Sequence, residues 1–141
     1  MRRPHEVLVI VRRGEEFLVL HRAPEHDAYW HLVAGMVEEG ESAAEAAARE
    51  LIEETGLAPT EVIDLGRSFA YALEEQYRLE YGPGVVEVVV DCFAADAPSQ
   101  WEPTLNEEHD EYRWCWAEEA VRLLYWPEPR DLILELAEAD R

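Results

Sequence analysis

Residues 42 to 57 carry both ends of a helix, and that helix limits what the rest of the chain can be. Ser42 and Glu45 form an S-x-x-E capping box, and Gly56 stands where a left-handed residue stops a helix. The run between them is rich in alanine, so a helix over 43–55 is predicted. At about 100° per residue, Ala44, Ala47, Ala48, Leu51 and Ile52 share a face small enough to sit close to a sheet. Glu50, Glu53 and Glu54 fall opposite, spaced i, i+3, i+4 and gathered within about 100° of arc. Ala43 and Ala46 leave that acidic side uncrowded. Like charges so spaced repel by roughly a few tenths of a kcal/mol per pair. The face is therefore either a solvated acidic surface or a seat for a hard divalent cation.

The flanking segments read mainly as strands. Val7–Val11 and Phe17–Leu20, joined by a charged stretch containing Gly14, predict a β-hairpin. A polar, proline-containing loop over 23–27 leads to a short strand over Tyr29–Val33, which Gly35 is expected to end. Beyond the helix, Val62–Tyr71 and Val85–Ala94 read as strands, the second β-branched enough to be buried and central. A polar, tyrosine-bearing segment ending in Gly82-Pro83-Gly84 separates them. Asp96–Asp110 reads as a long acidic loop, a length that inside a compact domain usually serves a site. Tyr112–Trp116 predicts one more strand, followed by helices over about 117–125 and 129–139.

Size and charge narrow the function. A chain of 141 residues, 48% of them apolar, can bury a core without disulfides, so one domain over residues 1–141 is expected. A formal net charge of −20 excludes a groove tracking DNA or RNA, because polymer binding needs Lys and Arg on the phosphates. A polyanionic substrate would instead be met through divalent cations held by some of the 32 acidic residues. Cys92 and Cys115 show no metal or redox spacing and are read as free thiols. The N-terminal apolar run is too short for a membrane span or signal core, so a cytoplasmic protein is expected.

Gly35, five residues, Glu41, seven residues, then Arg49-Glu50-Leu51-Ile52-Glu53-Glu54-Thr55-Gly56-Leu57 resembles the Nudix box at every fixed position. Seven fixed residues and two aliphatic ones would coincide by chance less than roughly once in a million start sites. The resemblance implies an α/β fold, the Nudix-type α/β/α sandwich with a mixed β-sheet between helices. It implies Glu50, Glu53 and Glu54 as ligands of two or three Mg2+ or Mn2+ ions, with the Gly35 carbonyl a further ligand and Glu41 at the periphery. Arg49, about 40° from Glu53 on the wheel and one turn after Glu45, can pair with either and fix a carboxylate rotamer. Family members take the general base from different places, so Glu50, Glu53 and a downstream loop acid are all candidates, with Glu50 or Glu108 favoured here. A homodimer is an expectation that comes with the family.

Glu107-Glu108-His109-Asp110-Glu111-Tyr112-Arg113-Trp114, with Glu118-Glu119-Ala120 and Leu123 to Pro127, is similar to the dihydroneopterin triphosphate pyrophosphatase and dATP pyrophosphohydrolase branch. That similarity nominates Glu108 as a metal ligand. The Asn that the branch carries three residues after the Trp is replaced here by Pro129 before Arg130. Arg22 resembles the arginine that precedes the box and would meet a phosphate. Trp30, Tyr29 and Tyr71 could stack on a base, or simply be core aromatics. The expected substrate is a small nucleoside or pterin triphosphate, cut to monophosphate and pyrophosphate. Hydrolysis of ADP-ribose or dinucleoside polyphosphates, nucleotide sensing without cleavage, and isomerisation of an allylic diphosphate are the alternatives.

Overall fold

The structure, a computed structural model, describes residues 2–58 and 61–139. The expected domain limits at residues 1 and 141 lie outside the described residues. The strands are β1 (His5–Arg13), β2 (Glu16–Arg22), β3 (Trp30–His31), β4 (Val33–Met36), β5 (Ile63–Ala72), β6 (Glu87–Asp96) and β7 (His109–Cys115). The helices are α1 (Ala43–Thr55), α2 (Ala117–Leu123) and α3 (Pro127–Ala139). The strands make one mixed sheet in the order β3-β2-β1-β6-β5, with β4 added on β1 and β7 on β2. The β1–β6 pair is parallel and the others are antiparallel.

Strand alternation divides the core into two layers. Val7, Val9, Val11, Leu18, Leu20 and Val33 face Ala46, Ala47 and Leu51 of α1. Leu8, Ile10, Phe17, Val19 and Leu32 face Ala120 of α2 and Leu132 and Ile133 of α3. The sheet thus lies between helices, as the α/β sandwich requires. Among the described residues, no helix is long and apolar enough to cross a membrane.

The hairpin forms around Gly14 at φ +63°, a left-handed conformation that glycine adopts without strain. Its strands stay paired only near the turn, at Arg12↔Phe17 and Arg13↔Glu16. Farther on, β1 takes β4 as its partner while β2 takes β3 and β7. Gly35 therefore does not end a strand. It lies inside β4, paired with Val7, because β1 offers a second free edge there.

Helix α1 has the predicted limits, with both capping-box bonds made and Gly56 left-handed at φ +81°. Its rotation differs from the expected one. Ala46, Ala47, Leu51, Glu54 and Thr55 are buried, whereas Ala44 is exposed and Ile52 is 49% exposed. Strand β6 lies next to β1, but only Cys92 to Ala95 are buried without a break, while its first half alternates between buried and exposed. Helix α2 stops at Leu123, short of the expected end, because Leu124 turns extended to bridge to Trp30.

Candidate active site

The three box glutamates occupy three different depths on one flank of α1. Glu54 follows Ala47 and Leu51 down the buried stripe and is 1% exposed. Glu50 lies beside it, its side chain mostly covered, and Glu53 reaches solvent with its side chain 54% exposed. The expectation that all three oppose the core is thus corrected for Glu54. Five alanines from 43 to 48 have no side-chain bulk with which to fix the rotation, and the larger β-sheet contacts set it instead.

Glu54 does not face a hydrocarbon layer alone. Ligand atoms of Glu54, Glu108 and His109 all lie within 4.8 Å of one another. The His109 Nε2 is 3.8 Å from Glu54 Oε1, too long for a hydrogen bond. Glu54 Oε2 and His109 Nδ1 are buried without any hydrogen-bond partner. Burial, then the Glu50 carboxyl, then Glu108 push Glu54 up to about 10. Burial, then the Arg22 charge, push His109 down to about 4. Both groups are therefore uncharged near neutrality, and two buried polar atoms remain unsatisfied. Such orphans carry a penalty of roughly 1–3 kcal/mol each. A divalent cation held by one donor atom from each of Glu54, Glu108 and His109 would keep the carboxylate ionised and give the neutral imidazole a lone-pair partner, so the donor set fits one.

Glu50 is tied to this group through a hydrogen bond with the Glu54 carboxyl. Burial raises its pKa, opposed by Glu54 and Arg49. Its carboxylate rests on Gly35, where a Cβ would overlap Glu50 Cδ and Oε1. Only glycine at 35 leaves that space. Arg49 holds the surrounding acids: its Nε donates to Glu41 Oε2 at 2.7 Å, Nη1 to Glu50 at 2.9 Å and to Glu53 at 3.3 Å, and Nη2 to the Met36 carbonyl at 2.9 Å. Glu45, the other expected partner, is taken by the cap on Ser42. Hydrogen bonds from Arg49 hold the Glu41 carboxyl below its ordinary range.

Glu108 enters from the loop between β6 and β7. That loop is fastened at several points: Ala97 N–H to the Arg12 carbonyl at 2.7 Å, Thr104 N–H to the Thr55 carbonyl at 2.8 Å, and Ala23 N–H to the Glu108 carbonyl at 2.8 Å. Arg22, paired in register with His109, donates from Nε to the His26 carbonyl at 2.9 Å and lies 5.2 Å from the Tyr29 ring centroid.

The structure does not bring every expected residue to this group. Glu53 stands apart, held by Arg49 at the surface. Trp30 packs against the α2/α3 layer, edge-on to His21 and beneath Arg113, whereas its neighbour His31 pairs with Leu20 and shares the α1 side. As a base-stacking residue Trp30 is corrected to a core aromatic, since alternation along β3 points it away from Glu54. Tyr71 donates its hydroxyl to Glu6 Oε1 at 2.9 Å, and burial raises both groups. The Glu6 carboxylate feels Arg22 and Glu50, so Tyr71 reaches the site only through it. Sequence reasoning left out Glu6 and gave His109 no role in metal binding. The E-H pair at 108–109 was the available signal for His109, and a lone acid at the start of an apolar strand was the signal for Glu6.

A mixed sheet between helices, with a glycine strand feeding a capped acidic helix, is an α/β sandwich with a carboxylate-rich flank. The family model described as NUDIX domain matches residues 2–136, and the chain belongs to that family. It is a Nudix pyrophosphohydrolase. The chain is 39% identical over 110 residues to an octanoyltransferase of Myxococcus xanthus, an alignment covering 77% of this chain. It spans only 29% of that relative's length. It is 31% identical over 128 residues to the dihydroneopterin triphosphate diphosphatase of Escherichia coli (strain K12), covering 86% of this chain and 84% of that one. The structure of the E. coli dihydroneopterin triphosphate pyrophosphohydrolase superposes with a TM-score of 0.83 at 29% identity, over 98% of this chain and 97% of that chain.

Proposed function

We propose that the substrate is a nucleoside triphosphate or dihydroneopterin triphosphate, cleaved to the monophosphate and pyrophosphate. The carrying observation is the meeting of Glu54, Glu108 and His109 donor atoms within 4.8 Å, with two buried atoms unsatisfied. The named activity of the E. coli relatives, which match over most of their length, supports the pterin member of this class.

Glu54, Glu108 and His109 would hold Mg2+ or Mn2+, with Glu50 and the Gly35 carbonyl beside them. Such an ion neutralises anhydride oxygens and acidifies water. Arg22 would meet the phosphate chain from β2, where its guanidinium offers a fork of donors. Glu50 would take the proton of the attacking water: its carboxyl is partly covered, raised by burial and held in one rotamer by Arg49. Glu108 is the second candidate for that proton. Glu53 would act through Arg49 and not on the substrate.

The test is chromatographic analysis of the products from a panel of deoxynucleoside triphosphates, dihydroneopterin triphosphate, ADP-ribose and dinucleoside polyphosphates, with Mg2+, Mn2+ or EDTA, pyrophosphate being the mark of a cleaved triphosphate. Release from the triphosphates that EDTA abolishes is expected. Full activity in EDTA, or no product from any compound, would overturn the assignment. Glu54→Gln and Glu108→Gln should each lose on the order of a hundredfold or more in kcat, as removal of a metal ligand typically does. Glu53→Gln should lose less.

A further inference from the structure

Three aromatic rings stand together at the surface beside the α2–α3 junction, and the residues assigned above make no use of them. The centroids of Tyr29 and Tyr125 are 5.4 Å apart with planes at 38°, those of Tyr125 and Trp126 4.8 Å apart at 86°, and those of Tyr29 and Trp126 6.1 Å apart at 88°. Tyr125 is 58% exposed and Trp126 44%. Rings of this size are normally covered, and adjacent uncovered ones mark a binding surface.

The backbone beneath the rings is fixed while their faces stay open. Tyr125 N–H donates to the Trp30 carbonyl at 3.3 Å and Arg22 N–H to the Tyr29 carbonyl at 2.9 Å. The Arg130 guanidinium donates to the carbonyls of Leu124 and Tyr125 at 2.8 and 2.9 Å. A rigid, exposed ring set loses little freedom on binding a flat ligand.

Two observations join the rings to the acids. Arg22 lies over Tyr29 and pairs in register with His109, so a cation stands between the two clusters. His31, 5.8 Å from Tyr29, feels both Arg22 and His109, and its buried Nδ1 has no hydrogen-bond partner. Through Arg22 the metal-type donors connect to a guanidinium, and the guanidinium to stacking faces. That is the order of chemistry along a triphosphate ending in a heterocycle.

We propose that Tyr29, Tyr125 and Trp126 form the subsite for the substrate's planar nitrogen heterocycle, a purine or pterin. This rests on the pyrophosphohydrolase site described above and names the part of it that selects the substrate. Arg22 then meets the phosphate nearest the heterocycle end. Stacking needs no particular pattern of hydrogen bonds, so the subsite accepts either ring system and excludes polyphosphates lacking one.

The test compares Tyr125→Ala and Trp126→Ala with Trp116→Ala, a control 59% exposed and outside the cluster. With dATP and with dihydroneopterin triphosphate, KM should rise roughly tenfold or more in the first two, as loss of one stacking partner implies. Their kcat should change little, because the donors at Glu54, Glu108 and His109 are untouched. The Trp116 variant should match the parent. Equilibrium titration with dAMP and with neopterin, in EDTA, reads the subsite without turnover. Binding by the parent and its loss in Tyr125→Ala and Trp126→Ala would support the subsite even if no triphosphate were cleaved, whereas the hydrolytic reading would then fall by itself. Unchanged KM together with unchanged dAMP and neopterin titration in both variants, their circular dichroism being native, would overturn it.

Discussion

Glu54 occupies a position where the helix stripe through Ala47 and Leu51 would ordinarily carry an apolar side chain. Its carboxyl is raised from 4.5 to about 10 by burial first and by Glu50 and Glu108 after it. A group raised on folding adds stability below its unfolded value, and that stability is lost as pH climbs through the interval to its folded value. The metal-free chain should therefore lose stability as pH rises from about 5 toward 10. His109 works in the other direction: lowered from 6.5 to about 4, it contributes stability above 6.5 that disappears as pH falls toward 4. Urea unfolding in EDTA across this range checks both limbs. Glu54→Gln should flatten the alkaline limb and unfold at higher urea than the parent at pH 8, and a parent curve without that limb would refute the buried carboxyl. Gly35→Ala argues the same site from its other side. The added methyl displaces Glu50, so kcat should fall on the order of tenfold or more while the melting temperature moves little, Glu50 being a mobile side chain and not backbone. The box residues themselves were legible letter by letter. Their depths were not, because the alanines that precede them commit the helix to no rotation.

At the scale of elements, the segment between β6 and β7 was legible as a long acidic loop near a site, and how it is held was not. Its fastening is assembled from residues remote in sequence. Glu102 accepts from Arg13, from the Trp114 indole at 2.9 Å and from the Tyr112 hydroxyl at 3.2 Å, while the Arg13 guanidinium lies 4.1 Å from the Trp114 ring centroid and donates to the Trp101 carbonyl at 2.9 Å. No local pattern announces such a knot, since Arg13 arrives from β1 and Tyr112 and Trp114 from β7. It has a consequence for catalysis. Glu108 comes six residues after Glu102, and a loop released at 102 samples positions in which Glu108 no longer meets Glu54. Glu102→Ala should lower kcat roughly tenfold with KM little changed, and should speed hydrogen exchange over residues 97–108. Glu102→Gln, which keeps two of the acceptor contacts, should recover much of kcat. Equal exchange in the parent and Glu102→Ala would remove this role. Helix α1 is the contrasting element: both caps are short-range signals, so its limits could be read directly. The strand after it in function, β4, could not, because Gly35 reads as a breaker until β1 is known to lend it an edge.

For the whole molecule the decisive quantity is charge. A formal −20 surrounds a site that must accept a polyanion, and long-range repulsion acts on the substrate before any local contact forms. Arg22 and Arg49 do not reverse this field, and Arg49 is itself committed to Glu41, Glu50 and Glu53. Cations reduce the repulsion in two ways. Divalent ions bound at Glu54, Glu108 and His109 would change the sign of the local potential, and dissolved salt screens the remainder over a Debye length of about 10 Å at 0.1 M. An enzyme that steers anions by a basic surface loses kcat/KM as monovalent salt is added. Here the sign reverses. With Mg2+ or Mn2+ held at saturation, raising KCl from about 0.02 to 0.2 M should increase kcat/KM for a triphosphate severalfold, because screening removes repulsion and not attraction. The gain should lie in kcat/KM and leave kcat nearly constant, since association alone is affected. Steady-state rates at fixed free metal measure it, and a kcat/KM that falls with KCl would mean that a basic surface, not the metal, recruits the substrate.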